Sequence, residues 1–316
     1  MSSAAARGGP AAARAAAAAV AAAAQQPLPP AAAAALAGLR ALHASAPLAS
    51  GVEQPPREQP PQQPPPLYAT HVPLHPVQKG AVAVLSAVGA LVRPARGDLV
   101  AVVGETWGDA AVRRMAERMR ASPTGRAILA ERPRVTDVAV ARCWELPEST
   151  FGGAYASFMG ARGFRADDRP VVRLVDDEEL AYVVQRAREV HDFWHVLFGC
   201  HTNVFGELAL KALEFVQTGL PMAGMAVVGA QFKLSPSDRA LLWSAYLPWA
   251  ARTGLRCADL MCIYYERHFD EDLDELRARW RVTPAPAPPA RLRARRGAAA
   301  GAAAGAAAGA ASRGGG

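Results

Sequence analysis

Acid is missing from both ends of this chain. No Asp or Glu occurs in residues 1–52 or 284–316, which are rich in Ala, Pro and Gly. Those two stretches carry Arg7, Arg14, Arg40, Arg291, Arg293, Arg295, Arg296 and Arg313. The 316 residues have a formal net charge of +7, and removing these eight arginines leaves the rest at −1. A basic footprint for nucleic acid belongs on the folded domain, so no nucleic-acid partner is expected. Cysteine is scarce, and Cys143, Cys200, Cys257 and Cys262 form no C-x-x-C pair. Four scattered thiols give no disulfide framework and read as small buried apolar residues, with Cys200 set apart by its place beside a histidine cluster. No apolar run reaches the roughly twenty residues that a helix needs to span lipid. The glycines of "GDLVAVVGETWGD" (97–109) do not fit G-x-G-x-x-G, which argues against a nucleotide site there. No alternation of apolar and polar residues lasts long enough for a sheet.

What is present divides the chain. Residues 1–50, arginine-bearing and acid-free with hydroxyls at Ser2, Ser3 and Ser45, read as a mitochondrial presequence, with "LRALHASAPL" (39–48) built like a processing site. Residues 51–66 form a proline-rich linker and 284–316 a disordered Ala/Gly/Arg tail. The body, 67–283, is long enough for one domain with a sizeable core. It reads as helix after helix: 77–92, 109–121, 123–131 behind Ser122-Pro123, 150–161, a long helix opened by Asp176, Asp177, Glu178 and Glu179, 204–218, 235–254 and 258–280. Only Leu99 to Val103 looks strand-like. The expected fold class is all-α, a mainly helical single domain with disordered ends.

Within it, "VHDFWHVLFGCHTNVFGE" (190–207) holds three of the seven histidines, one aspartate and one glutamate. Leu180, Val183, Val184, Ala187, His191, Trp194, His195 and Phe198 follow i, i+3, i+4, i+7 spacing, so His191 and His195 continue the buried stripe. At 100° per residue they lie about 40° apart, one turn above the other. Imidazoles at i and i+4 can chelate one ion, and Asp192 at the stripe's edge can join them. Glu207 would point away on a continuous helix, but a turn through Thr202, Asn203 and Gly206 can fold a second helix back and bring it to the ion. His201 reads as a turn residue. H-D-x-x-H differs from the H-E-x-x-H of zinc peptidases: its aspartate is shorter and the third-ligand spacing is missing. His71 and His268 offer no second set.

His191, Asp192 and His195, followed by Glu207, resemble the metal signature of a mitochondrial ubiquinone (coenzyme Q) biosynthesis family. The stretches "LYATHVPLHPVQK" (67–79), "DLVAVVGETWG" (98–108), "LVDDEELAYVVQRAREVHD" (174–192), "EFVQTGLPM" (214–222) and "YYERHF" (264–269) are similar to the same family. The resemblance covers Leu67 to Thr283. It implies a helical fold and a divalent ion, commonly Zn2+, held by His191, Asp192, His195 and Glu207, with Asp192 also the candidate catalytic residue. It further implies a peripheral place on the matrix side of the mitochondrial inner membrane and association with the other ubiquinone-synthesis enzymes in a multi-subunit complex. A homo-oligomer stays open. The expected activity is decarboxylation, non-oxidative or oxidative, at C1 of 4-hydroxy-3-methoxy-5-polyprenylbenzoate. A non-catalytic lipid-binding scaffold with a structural metal is the alternative. Such a lipid needs a greasy groove ending at a cation, and "GLPMAGMAVVGAQF" (219–232) reads as core, as tail groove or as membrane contact. Glu266 reads as a helix-surface glutamate or a support to the ligand shell.

Overall fold

The computed structural model describes residues 65–92 and 97–287. The presequence, nearly all of the linker and the tail beyond Ala287 lie outside the described residues. Among the described residues there are helices and short turns but no strand, with one isolated bridge between Thr150 and Asp272. The chain is all-α.

The molecule is organised around one helix, α6 (Glu178–Phe198). Asp177 caps its start by accepting from the Leu180 N–H, and Gly199 ends it in the left-handed conformation at φ 64°. From Leu180 to Phe198 every residue is buried except Arg188. A helix covered on all sides must pair its polar groups internally, and most of them do, the exception being His191 Nδ1. Gln185 and Arg134 meet Glu189, and Arg186 pairs with Glu266.

The helices before α6 are α1 (Pro76–Val92), α2 (Gly97–Trp107), α3 (Asp109–Ala121), α4 (Pro123–Glu131) and α5 (Phe151–Gly160). Ser122 turns α3 into α4, accepting from the Gly125 N–H with Pro123 at the first helical position, where its missing N–H costs nothing. After α6 come α7 (Val204–Thr218), α8 (Pro221–Ala230), α9 (Pro236–Leu241), α10 (Leu247–Arg256) and α11 (Leu273–Arg279). α3, α4 and α5 pack on α6, α1 packs on α2, and α8 bridges α2 and α7. An aromatic cluster of Phe151, Tyr155, Phe193, Tyr265 and Phe269 closes the side of α6 away from the histidines.

Three local expectations are corrected. Leu99 to Val103 is helical, because Val100, Val103 and Gly104 follow helical spacing against α1 and α8, and packing outweighs the strand preference of valine. The region 258–280 is mostly turns. Asp259 and Asp272 bind nearby backbone N–H groups and start short turns, so only α11 is a regular helix. The 235–254 helix is interrupted by a π turn at Leu242–Tyr246, just before Pro248, which has no N–H to donate.

The body also reaches past Thr283. The Ala285 N–H donates to the Phe198 carbonyl at 2.8 Å, and the Tyr246 hydroxyl donates to Pro286 at 2.6 Å. Arg277 adds bonds to the carbonyls of Val196 and Leu197. The last turn of α6 is therefore capped by the end of the domain.

Candidate metal centre

Helical spacing stacks His191 over His195, with ring centroids 4.8 Å apart. Five residues, Gly199 to Asn203, then reverse the chain into α7, and Asn203 caps that helix by accepting from the Gly206 N–H. Gly206 lies so close to the turn that a Cβ there would sit 2.1 Å from the His201 carbonyl oxygen. Only glycine lets the hairpin close this tightly. Closure places Glu207 opposite both imidazoles, its Oε1 3.2 Å from His195 Nε2 and its Oε2 3.6 Å from His191 Nε2. Ligand atoms of His191, His195 and Glu207 all lie within 4.8 Å of one another.

Tautomers follow from the partners. His195 Nδ1 is 3.1 Å from the Cys200 carbonyl, which can only accept, so Nδ1 carries a proton. In the neutral ring Nε2 then presents a lone pair to the lone pairs of Glu207. A cation between them removes that conflict. His191 repeats the arrangement: its buried Nδ1 faces Glu214 Oε2 at 3.0 Å, an ion-pair distance outside hydrogen-bond alignment. An acidic or carbonyl group behind a ligating imidazole is the usual way to orient it.

The electrostatics agree. Burial pushes the Glu207 carboxyl up, but the facing imidazoles outweigh it and hold the group well below the usual carboxylate range. Burial likewise raises Glu214, yet Lys211 and His191 bring it down to about 2. For His191, burial and Lys211 disfavour the proton, and Glu207 and Glu214 together reverse this, so its proton affinity is raised. Ligation requires both rings to be neutral, and in that state the two carboxylates and one ammonium leave the pocket short of one positive charge. The donor set of two nitrogens and a carboxylate suits a borderline divalent ion such as Zn2+.

Asp192 is placed differently from the other motif residues. Its carboxylate is gripped by the Arg169 guanidinium, with Nε 3.0 Å from Oδ2, and it falls outside the three-residue cluster. His201 sits in the hairpin turn, while Cys200 contributes its carbonyl. Burial pushes the Cys200 thiol up to about 12, far from a reactive thiolate. Glu266 pairs with the buried Arg186, away from the cluster, and is neither a surface group nor a support to it. His71 binds Asp176, and His268 binds Glu271. Glu214, Lys211 and Arg169 were not singled out from the sequence. Lys211 and Glu214 left a sign, lying four and seven residues after Glu207 on the same face of α7.

His191, Asp192, Glu207 and Glu214 line one end of a cleft of about 510 Å³. Arg169, Arg188, Lys211 and Lys233 also border it, and Val100, Gly104, Val184, Met222 and Ala226 give it an apolar wall. Val100, Met222, Ala226 and Ala230 are shared with a narrow slot between α1, α2 and α8, of about 90 Å³ and otherwise lined by Ala90, Val103, Met225 and Gly229. The cleft thus runs from a charged end to an apolar one.

A family model described as coenzyme Q (ubiquinone) biosynthesis protein Coq4 matches residues 68–286. The chain is 43% identical over 222 residues to the mitochondrial ubiquinone biosynthesis protein COQ4 of Coccidioides immitis, covering 69% of this chain and 78% of that one. It is 46% identical over 213 residues to the corresponding mitochondrial protein of Aspergillus terreus, covering 66% and 74%. A crystal structure from Nostoc punctiforme, of a protein named for ubiquinone biosynthesis, shares the fold with a TM-score of 0.52. It is 23% identical and covers 64% of this chain and 97% of its own.

Proposed function

The chain belongs to the coenzyme Q (ubiquinone) biosynthesis protein Coq4 family, and on that premise we propose that it removes the C1 carboxylate from a 4-hydroxy-3-methoxy-5-polyprenylbenzoate. Its role in ubiquinone biosynthesis and its mitochondrial setting follow from the family and from relatives named as mitochondrial. The observation that carries the finer reading is the cleft itself. Its charged end matches a carboxylate and phenol, and its apolar end matches an isoprenoid chain.

His191, His195 and Glu207 would hold the divalent ion, with Asp192 the remaining residue of the motif. Three protein ligands beside an open cleft resemble catalytic zinc sites more than closed structural ones. This favours the enzyme over a scaffold with a structural metal. The ion supplies Lewis acidity toward the substrate's carboxylate or phenolic oxygen. Arg169 and Lys211 add fixed positive charge where the carboxylate enters, and the α2 and α8 walls exclude water from the ring.

Asp192 is assigned to relay the proton that replaces carbon dioxide: its carboxylate, held at the charged end by Arg169, takes a proton from water as it passes one to C1. Protonation at C1 draws electron density from the para-hydroxyl. Breaking the C1–carboxylate bond returns that pair to the ring, so a C–H bond replaces the C–C bond, carbon dioxide leaves, and one proton from water is the only other reagent consumed. An oxidative variant would leave a hydroxyl at C1 and would consume an oxidant. We place the protein on the matrix face of the inner membrane, in association with other ubiquinone-synthesis enzymes. Among the described residues no helix is long and apolar enough to cross a membrane.

The test uses purified full-length chain loaded with zinc and a synthetic prenylated hydroxymethoxybenzoate, with carbon dioxide and ring product measured by mass spectrometry. The expected product carries hydrogen at C1, and Asp192→Asn should abolish it while leaving the circular dichroism spectrum native. No turnover by loaded protein, together with normal ubiquinone in cells carrying Asp192→Asn, would overturn the reading.

A further inference from the structure

Helix α1 wears its apolar residues on the outside. Val77, Val84, Leu85 and Val88 are all exposed, Leu85 at 71%. The residues it turns inward, Ala83 and Ser86, are small. From Gly80 to Val92 the helix has no charged residue at all. An isolated exposed leucine is ordinary, but a stripe of this length on one helix marks a contact surface. Across the apolar slot, α8 and the turn after it expose Val228 and, at 72%, Phe232. Trp243 stands beside them, half exposed, its indole N–H donating to Gln231 at 2.8 Å. Ala90 of α1 and Gly229 of α8 line the slot between these two groups.

Charge identifies what covers this surface. Helix α1 contains no acid, its one cation, Lys79, pairs with Asp176, and residues 219–237 contain no acid and carry Lys233. The Arg239 guanidinium lies 5.8 Å from the Phe232 ring. Apolar and aromatic residues flanked by Lys233 and Arg239, with no acid on the exposed α1 stripe, complement an anionic lipid surface.

We propose that the exposed faces of α1 and α8, with Phe232 and Trp243, dock the protein on an anionic phospholipid bilayer, with the slot opening onto the acyl chains. The orientation rests on the reading that the cleft takes an isoprenoid chain. In that geometry the substrate enters from the membrane without its tail crossing water, and its head reaches the His191–His195 end first along the cleft floor. A second copy of the chain, or another protein, is the competing occupant. Neither accounts for a slot that leads inward between two apolar faces flanked by Lys233 and Arg239.

Flotation of full-length chain with vesicles of phosphatidylcholine alone, or with roughly a third phosphatidylglycerol, tests the surface without any substrate. Binding should require the anionic lipid and should fall about tenfold or more in Leu85→Glu and in Phe232→Glu. Leu255→Glu on α10, where the leucine is 79% exposed outside either helix, should bind like the wild type. Brominated acyl chains should quench wild-type tryptophan emission more than that of Trp243→Phe. Wild type that ignores the vesicles, α1 and α8 variants that bind normally, or an equal loss in Leu255→Glu would overturn the docking surface. So would a fall in solution mass on Leu85→Glu without lipid, since that outcome assigns the face to a second copy. Turnover of a short-chain, soluble precursor separates the two readings. Leu85→Glu should keep it, so loss of vesicle binding with turnover intact isolates the membrane face from the chemistry.

Discussion

Glu214→Gln isolates the carboxylate that stands behind His191. The substitution keeps side-chain volume and leaves His191 Nδ1 opposite a neutral amide. Removing the orienting carboxylate of a ligating imidazole lowers metal affinity about 10–100-fold, or about 1.4–2.8 kcal/mol. The upper end applies here, because Lys211 Nζ lies 2.7 Å from the same Glu214 oxygen and would be left as an uncompensated cation near the ion. Zinc competition against a chromophoric chelator measures the change directly, with circular dichroism confirming an intact helical fold. The double variant Lys211→Met/Glu214→Gln removes the stranded charge and should recover part of the loss. Wild-type affinity in the single variant, to within about twofold, would refute the assignment. A double variant no better than the single would refute the role given to Lys211.

Glu266→Gln should destabilise the fold without touching the metal, because it strands the Arg186 guanidinium, which is 1% exposed. Breaking such a buried pair costs about 3–5 kcal/mol. For a body of this size that is a fall of roughly 6–20 °C in Tm, read by a thermal melt with metal content measured on the folded fraction; a fall under about 3 °C contradicts it. Gly206→Ala should force the α6–α7 turn apart and lower zinc affinity more than stability, checked by the same competition assay and melt. Metal removal should also change the pH response. In chelator-treated protein, His191 contributes stability that is full below its ordinary value of 6.5 and lost as pH rises through its raised folded value. Glu207 and Glu214 contribute stability that is full above 4.5 and lost as pH falls through their lowered folded values. The metal-free protein should therefore be most stable between those two values. The loaded protein should gain stability toward neutral pH, because the ion needs deprotonated imidazoles. Melts across pH with and without chelator check both limits.

How much of this was legible in the sequence depends on distance along the chain. Helix α6, its capping acids and the stacking of His191 on His195 are local properties of one amphipathic stretch, and they could be read directly. Glu207 was within reach because Asn203 and Gly206 announce a turn. Arg169 was not, since it comes from an irregular loop 23 residues before Asp192. No periodicity says where a loop side chain will land. Glu214 was hidden for another reason: it occupies a helical face that fits a core position as well as an ion-pairing one. The strand-like valines at 99–103 and the turns of 258–280 were misread because packing by α1 and α8, and capping by Asp259 and Asp272, decide those segments.

The capping of α6 by the end of the domain bears on the order of assembly. The carbonyls of Leu197 and Phe198 find their partners at Arg277 and Ala285, that of Val196 is shared between the Gly199 N–H and Arg277, and the Arg277–Leu197 bond closes a span of 80 residues. Contacts of such high sequence separation form late, after the entropy of loop closure has been met. The turn that carries His195 is therefore left with open carbonyls until the chain is complete and its last helix has docked. A protein synthesised from its N-terminus would thus complete the His191, His195 and Glu207 cluster as a nearly finished domain, and a chain cut short before Arg277 would keep both histidines yet lose the clasp that holds their turn in register.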